Sequence, residues 1–430
     1  MSAGRYRRLA KEGGWVFAGQ ILAVAGSLAL VRVLTEYLAP EQYGELALGL
    51  TVAGFTNQVI LGGITAGIGR FYSIAAESHD LGGYARHARR LVGYGTIAVS
   101  IVAILIIGSL FLTGHANWIG LAVAASVFSV FSGYTAVLSS AQNAARQRAS
   151  AAIHGGMEAW LKVLLSVGAI LWLGRSSATA VLAFGLSSLL VCGSQLLYLR
   201  RSLHLQIETR PDGPDWSRRI WAYSWPFSLW GFFSWIQQAS DRWALQAFGT
   251  TEEVGFYAVL FQLGYAPVGL ATAMVMTLVG PILYQRSGDA TDLDRNRGVH
   301  RLAWRLTWIA LLITSSGFGL GLLCHEWVFD LLVAEKYHSV SGLLPWVVLA
   351  GGLFASGQVL SLKMLSDLKS ATMTVAKVVT AILGVLLNIY GAARYGLEGV
   401  VAALVVFSTM FFGWMAWLAK SPAPFGDQKS

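Results

Sequence analysis

The residues able to do chemistry in this chain are the few charges that stand inside long apolar runs. His154, Glu158 and Lys162 fall at i, i+4 and i+8, which lines all three along one stripe of a helix. Glu158 precedes Lys162 in the better order for an ion pair. Two readings stay open: a structural pair facing another helix, or a cavity wall on which Lys162 binds an anion while Glu158 or His154 exchanges a proton. A second group puts Trp230, Ser234, Gln237 and Asp241 on one stripe, with Trp235, Gln238 and Arg242 on its neighbour. Indoles, amides, a carboxylate and a guanidinium make a wall suited to sugar and phosphate groups. Equally, Asp241 and Arg242 could lie near a membrane interface, where Arg snorkels and Trp forms a belt. Lys377 shares a face with Thr380, Gly384 and Asn388 and has no acidic partner on its own helix, which favours a cavity position. Arg32 is either an outer anchor or a counterpart of Arg242. A charge at the centre of a membrane helix costs about 2.5–3.5 kcal/mol on insertion scales, so each of these needs a reason.

The elements that hold them are membrane spans. Mean hydropathy is +0.58, and charged residues make up only 12% of the 430, about half the share of a soluble domain. Apolar runs long enough to cross a ~30 Å hydrocarbon core are expected near 13–34, 43–66, 91–113, 117–138, 154–174, 177–199, 220–246, 255–284, 303–324, 341–362, 371–392 and 397–419. The connecting segments alternate in sign. Those assigned to the inside hold 23 of the 31 Lys and Arg residues. The outer loops hold three, Arg175, Lys336 and Arg394. This bias puts both termini in the cytoplasm. The basic N-terminus resembles a signal peptide, but its apolar stretch continues to about Leu34, too long for an h-region, and is expected to be a retained first span.

Much is excluded. The net charge of +9 belongs to inner loops, so nucleic acid is not expected as a partner. No GxxxxGK[ST], HExxH, CxxC or GxSxG occurs, and the outer loops leave no room for a catalytic domain, so no enzyme, cofactor or metal site is expected. Cys192 and Cys324 both sit in apolar runs and read as core residues.

The chain also repeats itself. Arg32 is followed twelve residues later by Gly44, and Arg242 thirteen later by Gly255, each time with a turn and a new span between. Six spans per half is an even number, so the halves share one orientation, as in parallel repeats that hold substrate at their interface. The expected division is an N-terminal lobe over 1–200, a cytoplasmic linker over 201–219, a C-terminal lobe over 220–420 and a tail over 421–430.

Five patterns, in order along the chain, carry a family resemblance. They are Arg32-x-Leu34 with Pro40-Glu41-x-Tyr43-Gly44; Gly62 through Arg70-Phe71; Asp241-Arg242 with Val254-Gly255-x-Tyr257-Ala258; Glu335-Lys336-Tyr337 with Leu343-Leu344-Pro345; and Leu387-Asn388 with Tyr395-Gly396-x-Glu398-Gly399. Together they resemble the polysaccharide (oligosaccharide) flippases, in the superfamily that includes the multidrug and toxin extrusion (MATE) transporters. The resemblance implies an all-α integral membrane protein with twelve transmembrane helices in two six-helix lobes around a central cavity. It implies a bacterial inner-membrane location and an undecaprenyl-diphosphate-linked oligosaccharide as substrate, moved from the inner to the outer leaflet. Glycosyltransferases and a polysaccharide polymerase would be its pathway partners, and H+ or Na+ a coupling ion. Cationic cavity residues in the family vary in position. Lys162, Arg242, Lys377 and Arg32 are candidates for that role on physical grounds, with Trp230, Gln237, Gln238 and Asn388 as polar or aromatic contacts and Glu158, Asp241 and His154 as coupling groups. The competing reading is an efflux pump for cationic drugs, whose cavity should be lined by acids; only Glu158 and Asp241 lie deep, each beside a cation. A peptidoglycan-precursor flippase would typically need two further spans.

Overall fold

The computed structural model describes residues 3–202, 214–287, 292–366 and 370–420. The expected tail at 421–430 and most of the expected linker at 201–219 lie outside them. Among the described residues there is no strand. The chain divides into two compact units, Met1–Ala239 and Ser240–Ser430.

The first unit contains α1 (Ala3–Tyr37), α2 (Pro40–Phe55), α3 (Gly62–Glu77), α4 (Leu81–Leu112), α5 (Ile119–Ala144), α6 (Arg148–Leu173), α7 (Ser177–Ser202) and most of α8 (Trp216–Phe248). The second contains the end of α8, then α9 (Thr251–Leu260), α10 (Ala266–Ser287), α11 (Leu293–Leu332), α12 (Leu344–Ser366) and α13 (Ser370–Ala419). A π-helical turn at Thr56–Leu61 joins α2 to α3, and another at Phe261–Tyr265 joins α9 to α10. Each of these pairs therefore forms one continuous, locally widened helix.

Ten helices among the described residues are long and apolar enough to cross a membrane. Two features separate this number from the expected twelve. The α8 helix has 33 residues, ample length, but its Trp, Tyr, Gln, Asp and Arg side chains keep it out of the ten. At 50 residues α13 would extend about 75 Å, far beyond one bilayer. It is broken at Gly396 (φ 55°, ψ −133°), between the stretches read as spans 11 and 12.

The repeat seen in the sequence has an atomic form. Pro40 opens α2 at a position that needs no N–H donor. Two residues on, Gln42 Oε1 accepts from the Ala39 N–H at 3.1 Å, while its Nε2 donates to the Arg175 carbonyl at 2.9 Å. One side chain thus caps α2 and ties it to the α6–α7 loop. In the second unit Glu253 does the same work. It closes a capping box with Thr250 (3.0 and 3.2 Å), and its Oε1 accepts from the Leu397 N–H at 3.1 Å, at the break in α13. Both tied loops turn at a glycine with positive φ, Gly174 (105°) and Gly396 (55°).

Small residues allow close helix approach where no water drives association. Gly63 and Gly67 on α3 lie against Ser228 and Ser224 of α8, and a Cβ at either would overlap the α8 backbone or a serine hydroxyl. Below them, at the basic end, Ile64, Ile68, Tyr84, Leu91, Trp216 and Ile220 form a core. There the fully buried Trp216 donates from Nε1 to Asp80 Oδ2 at 2.7 Å, and Asp80 also caps α4 by accepting from the Gly83 N–H at 3.1 Å. The second unit has its own core of Leu360, Met364, Met373, Phe411 and Met415.

Gly396 is the sharpest test of this architecture, because its φ is one that side chains avoid and its Cβ position is occupied by the Glu253 carboxylate. Gly396→Ala should cost about 1–3 kcal/mol and lower the melting temperature in detergent micelles. Gly413→Ala, where a Cβ meets open space, should leave it unchanged.

Candidate functional site

Each unit holds one cluster of charge among apolar helices. In the first, α6 carries Glu158 and Lys162 one turn apart, with Lys162 Nζ 2.9 Å from Glu158 Oε1. The Ser188 hydroxyl on α7 donates to the same oxygen at 2.9 Å, and the Ser187 hydroxyl to the Glu158 carbonyl at 3.1 Å. Lys162 Nζ also stands 5.2 Å from the centroid of the Phe128 ring on α5, a cation–π distance. The two charged side chains are only 22% and 18% exposed, so three helices shelter the pair.

His154, expected on the same stripe, belongs to a different group. Its Nδ1 lies 2.8 Å from the Ser150 carbonyl and its Nε2 3.2 Å from the Ser194 hydroxyl. Gln142 donates to the Ser150 hydroxyl at 3.2 Å, and Gln195 to the Ser139 hydroxyl at 2.9 Å. This network of amides, hydroxyls and imidazole joins α5, α6 and α7, and it is largely buried. The i, i+4, i+8 spacing could not separate the imidazole from the ion pair, because the separation is made by serines on a neighbouring helix.

In the second unit Asp241 is buried near the end of α8. Its Oδ2 accepts from the Tyr257 hydroxyl at 2.7 Å, and its Oδ1 accepts from the Arg242 N–H at 2.6 Å and faces Arg242 Nη1 at 3.5 Å. The Arg242 guanidinium lies over two rings, 4.8 Å from the Phe261 centroid and 5.8 Å from that of Tyr257. Phe261 stacks in turn on Tyr265 at 4.7 Å. The aromatic shelf thus includes the π-helical turn at Phe261–Tyr265 and holds a planar cation that is 15% exposed. Nearby on α8, Ser240 accepts from Asn388 Nδ2 at 2.9 Å.

Lys377 on α13 is half-buried. Among the described residues, no ion-pair or hydrogen-bond partner is found for its ammonium group. Arg32 pairs with Glu36 at 3.4 Å in an exposed i, i+4 bridge. Trp230 and Gln238 are exposed, Gln238 donating to the Ser234 hydroxyl at 3.0 Å, and Gln237 is half-buried. Trp235 on the adjoining stripe points elsewhere: its indole N–H donates to the Thr51 carbonyl at 2.7 Å and its ring meets Phe55 edge-on.

Sequence reasoning missed several members of these groups. Tyr257, Phe261, Phe128 and Ser188 come from other helices, and no spacing rule points to them. Lys363 was expected in an inner loop, yet it lies inside α12 and is 1% exposed. Its signal was visible: Leu360 and Leu362 precede it, and Met364 and Leu365 follow. Among the described residues no group of His, Cys, Asp and Glu is arranged to hold a metal.

The Glu158–Lys162 pair makes a double-mutant test. Lys162→Met leaves a buried carboxylate alone and should destabilise by about 3–5 kcal/mol. Glu158→Gln with Lys162→Met should recover most of that loss, read as melting temperature in micelles.

Several solved structures resemble nearly the whole chain, among them the following three. One is a lipid II flippase MurJ in an inward closed conformation, with TM-score 0.71, 13% identity, and coverage of 96% of this chain and 88% of that one. Another is a multidrug resistance MATE family transporter of the MOP superfamily, inward-facing, with TM-score 0.70, 15% identity, and coverage of 93% and 94%. The third is a MOP superfamily transporter from Pyrococcus furiosus described as having a binding pocket of reverse polarity, with TM-score 0.61, 15% identity, and 96% coverage of each chain. These are a flippase and transporters, not enzymes, and they share the fold of a multi-pass membrane protein. No curated protein sequence matches. The family model described as "Polysaccharide biosynthesis protein" matches residues 9–286, well over half of the chain, which therefore belongs to that family.

Proposed function

We propose that this protein is a flippase for undecaprenyl-diphosphate-linked oligosaccharides, carrying them from the inner to the outer leaflet of a bacterial cytoplasmic membrane for surface polysaccharide synthesis. It would work by alternating access between two six-helix lobes, 1–200 and 220–420, joined by a cytoplasmic linker at 201–219. This reading takes α8 as a span and divides α13 at Gly396, which restores twelve spans. Both termini, including the 421–430 tail, are then cytoplasmic. Glycosyltransferases would supply the substrate and a polymerase would consume it.

The observation that carries the proposal is Lys377. A half-buried ammonium with no counter-ion among the described residues, in an apolar helix of a polysaccharide biosynthesis protein, is a site that an anion would satisfy. Lys162 and Arg242 are the other candidate cations. Each is paired with a carboxylate, so a diphosphate would compete with Glu158 or Asp241 for its cation. A carboxylate left behind in low dielectric is costly, and a proton taken from water onto its oxygen removes that cost. Substrate binding and proton uptake would in this way be linked, with no nucleotide needed. His154 remains the other candidate proton carrier. Arg32, in its exposed bridge, fits an anchor better than a ligand, while Trp230, Gln237, Gln238 and Asn388 stay candidate sugar contacts.

The experiment is complementation of a strain lacking the gene. Lys377→Ala and Arg242→Ala should abolish surface polysaccharide while membrane protein level stays normal, and Lys377→Arg should retain export. Wild-type polysaccharide from both alanine variants would overturn the proposal. Efflux of cationic dyes is the other reading's signature: resistance conferred by the wild-type protein and lost in Glu158→Gln would favour a drug pump instead.

A further inference from the structure

One cavity is lined by none of the residues of the two charged clusters. It occupies about 570 Å³ in the first unit, between α3, α4, α5 and α7, well inside the roughly 300–1,000 Å³ range of small-molecule sites. Its body is apolar, and two of its three tyrosine hydroxyls are already engaged. Tyr84 donates to the Ile68 carbonyl at 2.6 Å, and Tyr134 shares a bond with the Thr96 hydroxyl at 2.7 Å. Such a wall has little to offer a sugar. Its charge is confined to Arg89, in the early turns of α4, and Arg200, at the end of α7. Successive spans alternate in direction, so these positions share the basic side of the membrane. No carboxylate lines the cavity. Neither guanidinium has an ion-pair or hydrogen-bond partner among the described residues.

We infer that this cavity binds an anionic glycerophospholipid, with an acyl chain in the apolar body and the phosphate held by Arg89 and Arg200. Two unpaired guanidiniums above a greasy slot match the two ends of such a lipid, and each cation near a membrane surface adds to anionic-lipid attraction. A neutral lipid would leave both arginines unanswered. The inference is independent of what the protein exports, because neither arginine belongs to the clusters described above.

The test is native mass spectrometry of the full-length, delipidated protein, titrated with phosphatidylglycerol and phosphatidylcholine of identical chains and with geranylgeranyl diphosphate. Wild type should bind phosphatidylglycerol about tenfold more tightly than phosphatidylcholine. Arg89→Gln with Arg200→Gln should erase that preference. Gly93→Phe keeps both arginines but fills the slot, since a Cβ at Gly93 meets open space, and it should lose binding of both lipids. Arg86→Gln with Arg201→Gln removes equal charge outside the lining and should behave as wild type. Equal affinity for the two lipids in wild type would overturn the inference. So would an equal loss in the Arg86/Arg201 control, which means general surface charge, or preferential capture of the diphosphate, which means a polyprenyl ligand.

Discussion

A helix in hydrocarbon has no water to bond its polar groups, so each must find a partner inside the protein. Most of the side-chain chemistry described above follows from that constraint. Thr307, Thr314, Ser356 and Thr380 return their hydroxyls to the carbonyl four residues back. Gln142 and Gln195 solve the same problem across helices, and Trp216 solves it with a carboxylate. Charges obey the rule more strictly. Glu158 takes a lysine and a serine, and Asp241 takes a tyrosine, an arginine and a backbone N–H. Lys377 differs from these charges: among the described residues its half-buried ammonium has no such partner.

The membrane architecture was legible because it is written in coarse terms: long apolar runs and the recurrence of Arg32–Gly44 as Arg242–Gly255. Two spans resisted on particular residues. The α8 helix carries six Trp residues and one Tyr, whose polar handles depress hydropathy while their rings still suit an interface. The last two spans are separated in the sequence by only four residues, Ala393 to Gly396, and the turn at Gly396 is so tight that α13 continues with hardly a loop. The candidate sites were legible where chemistry is local. Glu158 and Lys162 are one turn apart on one helix, and the spacing alone pairs them. Asp241 and Arg242 are adjacent, an arrangement that ordinarily turns side chains apart. They meet because Asp241 folds back onto the Arg242 N–H, while Tyr257, sixteen residues on, fixes its other oxygen. That geometry depends on packing and leaves no one-dimensional trace.

The two units solve related problems with different residues. At the start of the second long helix in each, the same register position is filled by Gln42 or Glu253. One donates to a carbonyl and the other accepts from an N–H, so the polarity of the tie is inverted while its place is kept. The widened turns follow a similar rule. Both interrupt the helix that begins with the tie, and each has an α8 residue or an α8 cation close by: Gly231 against the Gln58 carbonyl in the first unit, Arg242 over Phe261 in the second. A π turn leaves backbone groups incompletely paired and is common at functional positions.

The ties at Gln42 and Glu253 have a mechanical corollary. In each unit a single side chain clamps a helix start to a turn four helices further along, so that corner is held as one piece. Bending has to be taken up farther along the same helix, where the hydrogen-bond ladder is already one residue out of step. The tied corners are then handles, the widened turns are pivots, and the amplitude of any swing is set by the length of helix between them.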